Sequence, residues 1–387
     1  MNKLHVAILT DWFLPGTNAG GPVRSIHSLI QLLKNEIRFT IITRNTDLGS
    51  NEPYPDIPPN AYFEKAEVGY YYFSHDRLNK DNMTILLKQL NVDLVYLNSF
   101  WSFPFALQVV QMKNAINKPI LLAPRGMLGK GAMSIKPFKK KAVIKILQWS
   151  KAMSTVHFHA TNEQEVLDVK KVFPSAKVYA ISNVNYSNAI HTQRIKSPGT
   201  LRLFYLSRVS PVKNLHLALL YLQNVNPQLR ITYDIFGSLE DEQYWHECEA
   251  LIKRLPENVA VTYKGQLSFE EVQSVISKYH ALLLPTSNEN FGHSIVESLF
   301  SGCPVIISDQ TPWQDLQATG AGYALTLANN SAFTSAIEEL ASLNQSSFDS
   351  RSEAAINYIR SNTDHNKVAA QYKEMFYESA QNGPIGL

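Results

Sequence analysis

Short apolar runs alternate with longer segments of helical periodicity along most of the chain. Short apolar runs are typical of buried strands, whereas apolar residues three or four positions apart are typical of helices. The predicted strands are residues 4–10, 39–43, 69–73, 94–97, 120–123, 156–159, 178–181, 201–206, 232–236, 259–263, 281–284, 304–307 and 322–325. Strands that alternate with helices predict doubly wound parallel sheets, so we expect an α/β fold with two Rossmann-like domains.

The chain has 387 residues, which suits two domains. A polar stretch rich in Asn, Ser and Thr, residues 183–200, is the predicted linker. We therefore predict a first domain over residues 1–195 and a second over 196–364. The remaining residues, 365–387, begin with a helical pattern whose apolar side is too large to stand alone in water.

Charge is divided unevenly between the two halves. Residues 1–198 contain 24 Lys and Arg against 13 Asp and Glu, and the remainder contains 12 against 20. Between residues 94 and 162 there is no acidic residue, while ten Lys and Arg fall there. The predicted first domain is therefore basic and the second acidic.

A helix predicted over residues 137–149 lies in this basic stretch. Its apolar side is predicted to hold Val143, Ile144, Ile146, Leu147 and Trp149, with lysines opposite. Such a helix suits an anionic membrane surface, or it packs its apolar side on the domain and leaves the lysines in water. Nucleic acid is disfavoured as a partner because no nucleic-acid-binding signature is present and the second domain is acidic.

Three features favour a cytoplasmic location, at the inner face of the cell membrane if the basic helix binds lipid. No run reaches the ~18 apolar residues that a membrane span needs. The apolar run at the N-terminus is too short for a signal peptide and matches the first strand. Cys248 and Cys303 lie far apart, without Cys-x-x-Cys spacing.

Glu289 and Glu297 flank a predicted helix start. Glu289 lies in the turn after strand 281–284, and a helix is expected from about Phe291. Glu297, five residues past Gly292, then lies ~7.5 Å along the helix axis. Between the two carboxylates, unpaired backbone N–H groups and the positive helix end suit a phosphate. The alternative is an ordinary strand-to-helix turn with two acidic residues.

Arg208 and Lys213 lie in the turn between strand 201–206 and a helix predicted over 212–222. Ligands of open α/β sheets bind at the C-terminal ends of strands. A guanidinium and an ammonium group there suit a pyrophosphate and stabilise a departing phosphate. The alternative is a pair of ordinary surface cations.

These motifs together carry a family resemblance. The two glutamates with seven residues between them, the following Ser-Gly-Cys-Pro-Val-Ile, and the upstream Ser-Arg and Lys-Asn pairs resemble the retaining glycosyltransferases of family four. The resemblance spans nearly the whole chain. It implies the GT-B fold, in which two Rossmann-like domains face a cleft and a C-terminal helix crosses back to the first domain. The first domain would bind the acceptor and the second the nucleotide.

The resemblance also implies roles for individual residues. Glu297 would hold the ribose hydroxyls of a sugar nucleotide, and Glu289 would face the donor sugar. Arg208 and Lys213 would bind the diphosphate and offset its growing charge. We further assign nucleotide-sugar binding to six positions near these residues: Gly237, Asn290, Phe291, Gly292, His293 and Ser294. His293 is expected to act through its backbone N–H.

In the first domain, Gly20 and Gly21 precede a helix predicted from about Pro22, and the resemblance places their loop near the acceptor. The loop lacks Gly-x-Gly-x-x-Gly, which disfavours nicotinamide and flavin chemistry. Arg125 follows strand 120–123, where many relatives carry a histidine. Because arginine stays protonated, we assign Arg125 to binding a phosphate or hydroxyl, with a structural salt bridge as the alternative. His157 and His159, which alternate on strand 156–159 and face the same side, are expected to be satisfied core residues rather than catalysts.

The predicted chemistry needs no cofactor beyond the UDP- or GDP-sugar substrate. The chain contains no Asp-x-Asp and no metal-ligand spacing, so we expect metal-independent activity. The resemblance implies retention of configuration and a glycan acceptor linked to polyprenyl diphosphate, in O-antigen, capsule or other surface-polysaccharide biosynthesis. Two alternatives stay open: a sugar-nucleotide epimerase on the same fold, and a non-catalytic sugar-nucleotide-binding subunit.

Overall fold

The computed structural model describes residues 3–185 and 193–381 and divides the chain into two compact units. The first unit comprises Met1–Tyr186 together with His365–Leu387, and the second comprises Ser187–Asp364. The division falls earlier than the predicted boundary near residue 195. Arg194 and Lys196 are buried among residues of the second unit and donate to its backbone carbonyls, which explains why this end of the predicted linker belongs there.

The first unit contains one sheet with helices along it. Its strands are β1 (Leu4–Leu9), β2 (Ile37–Arg44), β3 (Tyr62–Lys65), β4 (Val68–Phe73), β5 (Leu94–Asn98), β6 (Ile120–Ala123), β7 (Val156–Ala160) and β8 (Val178–Ala180). Its helices up to residue 180 are α1 (Gly21–Leu33), α2 (Lys80–Leu90), α3 (Gln108–Gln111), α4 (Lys113–Ile116), α5 (Lys130–Ser134), α6 (Pro137–Trp149) and α7 (Glu163–Val172), with a π-helical turn at Phe103–Leu107.

The strand order of this sheet is β3-β4-β2-β1-β5-β6-β7-β8. All neighbouring strands are parallel except β3, which pairs antiparallel with β4. The order reverses between β1 and β5, which makes that position the topological switch point of the unit. The central strands β1 and β5 are buried almost throughout, as strands covered on both faces are.

The second unit contains a six-stranded sheet. Its strands are β9 (Thr200–Leu206), β10 (Arg230–Phe236), β11 (Val259–Gly265), β12 (Ala281–Leu284), β13 (Val305–Ser308) and β14 (Gly322–Leu325). Its helices are α8 (Leu215–Leu222), α9 (Glu242–Ile252), α10 (Glu271–Ile276), α11 (His293–Phe300), α12 (Leu316–Thr319), α13 (Asn330–Ser342) and α14 (Gln345–Asn362), with a 3-10 turn at Pro211–Lys213. The order β11-β10-β9-β12-β13-β14 is parallel throughout and reverses between β9 and β12.

The last helix, α15 (His365–Gln381), belongs to the first unit. Tyr372, Met375 and Phe376 on α15 are buried in a core cluster with residues of β1, β2 and β5. The ring of Phe376 lies edge-on to Phe39 and Tyr96, with centroids 6.2 and 5.5 Å apart. The apolar side predicted for this helix is therefore covered by the first unit, as the sequence requires.

Strand β3 is the strand that the pattern missed. It lies at the sheet edge, and most of its residues are exposed, so it carries no apolar alternation. The hairpin to β4 turns through Ala66 and Glu67, which both have positive φ, of 51° and 65°. Such a two-residue turn is usually signalled by Asn-Gly or Asp-Gly, whereas positions 66 and 67 hold Ala and Glu. The local signal for the hairpin is therefore absent.

Two predicted helix starts shift. The helix expected from residue 212 begins at Leu215, because Pro211–Lys213 form a 3-10 turn and Asn214 adopts a left-handed conformation. The helix expected from about Phe291 begins at His293, after left-handed Gly292. None of the helices in the described part of the chain has the length and apolar character that a membrane crossing needs.

Candidate active site in the second unit

The loops that follow β9 and β12 meet at the switch point of the second sheet. The Ser287 backbone N–H donates to the Val212 carbonyl at 2.8 Å. The Asn214 side-chain Nδ2 donates to the Pro285 carbonyl at 2.9 Å, and Asn214 is buried. These bonds hold the predicted cation-bearing loop against the loop that carries Glu289.

Lys213 and Glu289 form an ion pair across these two loops. Lys213 Nζ lies 2.7 Å from Glu289 Oε2, and the two side chains are 12% and 20% exposed. The Glu289 backbone N–H donates to the Gln310 carbonyl at 3.2 Å, which ties the same loop to the residues after β13. The structure thus brings two predicted site residues, 76 positions apart, into direct contact.

Arg208 has a different partner. Its Nη1 lies 2.5 Å from Oε1 of Glu240, which follows β10, and the side chains are 42% and 44% exposed. An ion pair this exposed contributes only ~0–1 kcal/mol. The Arg208 guanidinium is therefore held weakly at the C-terminal edge of β9, and a phosphate that approached it would compete with a single carboxylate.

Gly237 lies against the chain that enters the Arg208 loop. Its φ is 144°, and a Cβ at this position would stand 1.8 Å from the Ser207 carbonyl oxygen. The Tyr263 hydroxyl donates to the Gly237 carbonyl at 2.8 Å. Glycine is thus required here by the close approach of two backbones, and its predicted ligand contact stays a prediction.

The N-terminus of α11 opens at the same edge. Gly292 is left-handed, with φ 77°, and Val296 N–H makes the first helical bond, to the Gly292 carbonyl at 3.0 Å. The backbone N–H groups of His293, Ser294 and Ile295 precede that bond and stand outside the helical ladder, as first-turn amides do. They and the positive helix end suit an anion.

Neighbouring contacts fix the start of α11. The Trp313 indole Nε1 donates to the Phe291 carbonyl at 2.5 Å, and the two rings pack edge-on with centroids 5.8 Å apart. Phe291 itself is buried, while Asn290 is half-buried. Glu297 lies in the middle of α11 and is 3% exposed. Phe291 therefore serves the packing of the loop, and its predicted nucleotide contact stays a prediction.

Gly20 and Gly21 belong to the first unit. Gly20 caps α1 with φ 65°, and a Cβ there would meet nothing within 4 Å. Gly21 is the first helical residue and is followed by Pro22, which suits a first turn. The predicted helix start is confirmed, and space lies open beside Gly20.

Arg125, also in the first unit, is held by uncharged oxygens. It is left-handed, with φ 57°. Its Nη1 donates to Asn183 Oδ1 at 2.6 Å, and its Nε and Nη2 donate to Asn98 Oδ1 at 3.1 and 2.8 Å. Nη2 also donates to the Tyr96 hydroxyl at 3.1 Å. Within residues 3–185 and 193–381, no carboxylate forms a direct ion pair with Arg125, so the alternative of a structural salt bridge is not what holds it.

His159 lies in the same network. Its Nδ1 is 2.6 Å from the Tyr96 hydroxyl, and its Nε2 is 2.9 Å from the Ile181 carbonyl. Burial, and next the charge of Arg125, lowers the pKa of His159 to about 3. Burial also raises the pKa of Tyr96 to about 12. His159 is thus a satisfied core residue, as predicted, whereas His157 is only half-buried, with its Nδ1 3.2 Å from Ser379 Oγ.

No metal-ligand cluster of three or more His, Cys, Asp and Glu side chains occurs in the part of the chain that the structure describes. Three residues that support the site were missed by sequence reasoning: Glu240, Asn214 as a tether, and Trp313. Each acts through a contact between segments distant in sequence, and a spacing pattern carries no signal for such a contact.

Comparison with known proteins places this geometry in a family context. Residues 188–361 match the family model described as "Glycosyl transferases group 1". The matched residues fall within the second unit, Ser187–Asp364. A 63-residue stretch is 36% identical to the O-antigen chain mannosyltransferase RfbU of Salmonella typhimurium, covering 16% of this chain and 18% of that protein.

Solved structures extend the likeness of the fold beyond the glycosyltransferase domain. Sucrose-phosphate synthase of Thermosynechococcus elongatus has a TM-score of 0.68 at 14% identity, covering 97% of this chain and 99% of that chain. Alr3699/HepE of Anabaena, solved with UDP and glucose, has a TM-score of 0.69 at 12% identity, covering 97% and 100%. The predicted fold class, an α/β fold of the GT-B type with two parallel-sheet units, is therefore confirmed.

Proposed function

We propose that the protein is a retaining glycosyltransferase of family four that moves a sugar from a nucleotide-diphosphate donor to a glycan acceptor. The observation that carries the proposal is the meeting, at one switch point, of the loop that holds Arg208 and Lys213 with the Glu289 loop and the N-terminus of α11. The group 1 match over the same unit supports it, as does the UDP bound to a protein of similar fold.

In this reaction the bond between the sugar C1 and the β-phosphate oxygen breaks, and a bond from C1 to an acceptor oxygen forms. The nucleoside diphosphate leaves, and its phosphate takes up the proton of the acceptor hydroxyl. Negative charge therefore grows on the diphosphate as the bond breaks. Arg208, Lys213 and the first-turn amides of α11 stabilise that charge, and Lys213 and the amides are held in place before the reaction begins.

The two glutamates divide the remaining work. Glu289 is held against Lys213 at 2.7 Å, so it steadies the donor sugar rather than attacking it. Glu297 accepts hydrogen bonds from the ribose hydroxyls. The cations take the place that a divalent ion occupies in other glycosyltransferases, so the reaction needs no metal.

The first unit binds the acceptor, with Gly20, Gly21 and Arg125 at its loop edge. Its basic character suits an acceptor that carries phosphate, such as a polyprenyl-diphosphate-linked glycan. The short stretch of identity to an O-antigen mannosyltransferase supports a role in O-antigen or other surface-polysaccharide biosynthesis.

A screen of UDP, GDP and their sugar conjugates by thermal shift tests the donor site, because a ligand that binds the folded state raises its melting temperature. Arg208→Ala should lower turnover roughly 100- to 1000-fold. Glu297→Ala should chiefly weaken nucleotide binding. Arg230→Ala, at the opposite end of β10, is the matched control and should change neither.

The outcomes separate the alternatives. A melting temperature unmoved by every nucleotide, or full turnover by the Arg208 variant, would refute the proposal. Conversion of donor without acceptor would indicate an epimerase, and binding without any conversion a non-catalytic subunit. Activity that survives chelation unchanged is expected, and NMR of the product anomer tests retention.

A further inference from the structure

One face of helix α6 packs on the first unit, and the opposite face is exposed. Ile144 and Leu147 are buried; Leu147 belongs to a core cluster of the first unit, and half-buried Val143 packs against that cluster. Lys140 lies over the Trp101 ring, 5.2 Å from its centroid, and donates to the Ala132 carbonyl at 2.6 Å. The helix is therefore already docked on its unit by an inner face.

The opposite face of α6 exposes large apolar side chains. Phe138 and Trp149 are each 87% exposed, and Ile146 is 61% exposed. The sequence-based prediction grouped Ile146 and Trp149 with Val143, Ile144 and Leu147 on one apolar side of the helix, and that grouping is wrong. Helical geometry puts the exposed and the buried apolar residues on different sides of the helix. Trp149 lies eleven positions, about three turns, after Phe138 and therefore on the same exposed side. Exposed apolar clusters of this kind mark interaction sites.

We call this surface the outer face of α6 and define it by Phe138, Ala142, Lys145, Ile146 and Trp149. Its two aromatic rings stand ~16 Å apart along the helix axis and project to one side. The two rings can therefore contact the same flat surface at once, one near each end of the helix. A convex single helix offers no groove for a strand or a peptide.

Lysines surround the outer face. Lys136, Lys139, Lys141, Lys145 and Lys151 are exposed, and none forms an ion pair with a carboxylate in the described part of the chain. The sequence from residue 94 to 162 contains no Asp or Glu that would offset them. Positive charge and apolar side chains thus share one surface.

We propose that the outer face of α6 binds an anionic membrane surface, with Phe138 and Trp149 inserted at the headgroup level and the lysines on lipid phosphates. Tryptophan and phenylalanine favour the boundary between headgroups and acyl chains. Lysines near an anionic leaflet each strengthen binding. The partner is a lipid surface because its flatness and its combination of anionic and apolar layers match the outer face. The proposal stands independently of the proposed function.

Sedimentation with lipid vesicles tests it. The full chain should bind vesicles that contain about one third phosphatidylglycerol and should not bind pure phosphatidylcholine. Changing Lys139, Lys141 and Lys145 to Gln should lower the partition coefficient ~100-fold. Changing Phe138 and Trp149 to Ser should lower it at least ~10-fold.

Matched controls separate a local surface from general charge. Glutamine at Lys65, Lys88 and Lys171 makes the same charge change on other surfaces and should leave binding within about twofold of the parent. Ile85→Ser removes another exposed apolar residue of the same unit and should have no effect.

Three outcomes would overturn the proposal: no binding to anionic vesicles at low salt, equal losses in the control and test lysine variants, or full binding by the Phe138/Trp149 double variant. Tight binding to single-stranded RNA or self-association through this face, without vesicle binding, would assign it to another partner. An unchanged nucleotide-induced thermal shift in every α6 variant would show that the donor site is intact, so failure here is distinct from failure of the glycosyltransferase assignment.

Discussion

The two sheets share a strand order around their switch points, yet they carry opposite charges there. In the first unit, Asp11 follows β1 and Arg44 is the last residue of β2. Arg44 Nη2 lies 2.6 Å from Asp11 Oδ1. In the second unit, Arg208 follows β9, which corresponds to β1, and Glu240 follows β10, which corresponds to β2. The loop after the first strand is where an open α/β sheet meets its ligand. The same framework therefore presents a carboxylate in one unit and a cation in the other.

The two arginines are also held differently. The side chain of Arg44 is 25% exposed and lies 5.4 and 5.5 Å from the ring centroids of Trp12 and Phe105, while it bonds the Asp11 carboxylate and carbonyl. The side chain of Arg208 is 42% exposed, with one carboxylate partner in the described residues. Arg44 and His159 of the first unit form their hydrogen bonds within that unit and stabilise its fold. Arg208 is the more exposed of the two arginines, so an anion from solvent reaches its guanidinium more readily.

The largest expected effect is a loss of unfolding free energy at acid pH, caused by His159 in the first unit. The pKa of His159 is about 3 in the folded protein against 6.5 for an unperturbed histidine. Between these values the unfolded state binds a proton that the folded state does not, so stability is full above pH 6.5 and falls below it. His159 alone should cost about 3 kcal/mol of unfolding free energy by pH 4.5.

Urea unfolding from pH 7.5 to 4.5 measures this effect. His159→Gln should reduce the pH slope of the unfolding free energy by about 1.4 kcal/mol per pH unit below pH 6.5 and leave it unchanged above that pH. A variant with the parent's slope would show that His159 already takes up its proton in the folded protein.

In the second unit, Gly237→Ala tests the close approach of the Gly237 and Ser207 backbones. A methyl group would stand 1.8 Å from the Ser207 carbonyl oxygen in a backbone conformation unfavourable to alanine. The expected loss is about 2 to 3 kcal/mol of unfolding free energy, together with loss of nucleotide binding. Gly265→Ala, at φ 80° with nothing within 4 Å, is the control and should cost about 1 kcal/mol. Equal costs would contradict the close backbone approach.

Replacing each arginine by methionine compares the two ion pairs directly. Arg44→Met should cost about 2 kcal/mol of unfolding free energy, because it leaves the largely buried Asp11 carboxylate unpaired. Arg208→Met should cost less than ~1 kcal/mol, since its pair is exposed. Calorimetry should find the nucleotide-induced thermal shift reduced in the Arg208 variant and unchanged in the Arg44 variant. The reverse ranking of the two stability losses would remove the distinction drawn between the units.

Much of the fold was predictable because it depends on local patterns. Short apolar runs such as residues 281–284 identified every strand of the second sheet, although polar residues interrupt some of them, as Asp234 does in residues 232–236. The apolar side of residues 365–379 required a covering surface. Predictions failed where the local signal was ambiguous. The hairpin at Ala66 and Glu67 lacks its usual residues, and α6 carries more apolar residues than one face can bury.

By itself, the sequence determined the α/β class, the excess of basic residues in the first half, and the cations and glutamates that a diphosphate site would need, since composition and periodicity are properties of the chain. Tertiary structure alone decided their partners. It paired Lys213 with Glu289 and Arg208 with Glu240, enclosed Arg125 in uncharged oxygens, and left Phe138 and Trp149 in water. Such contacts join residues far apart in sequence, and their geometry follows from how strands and loops meet in space.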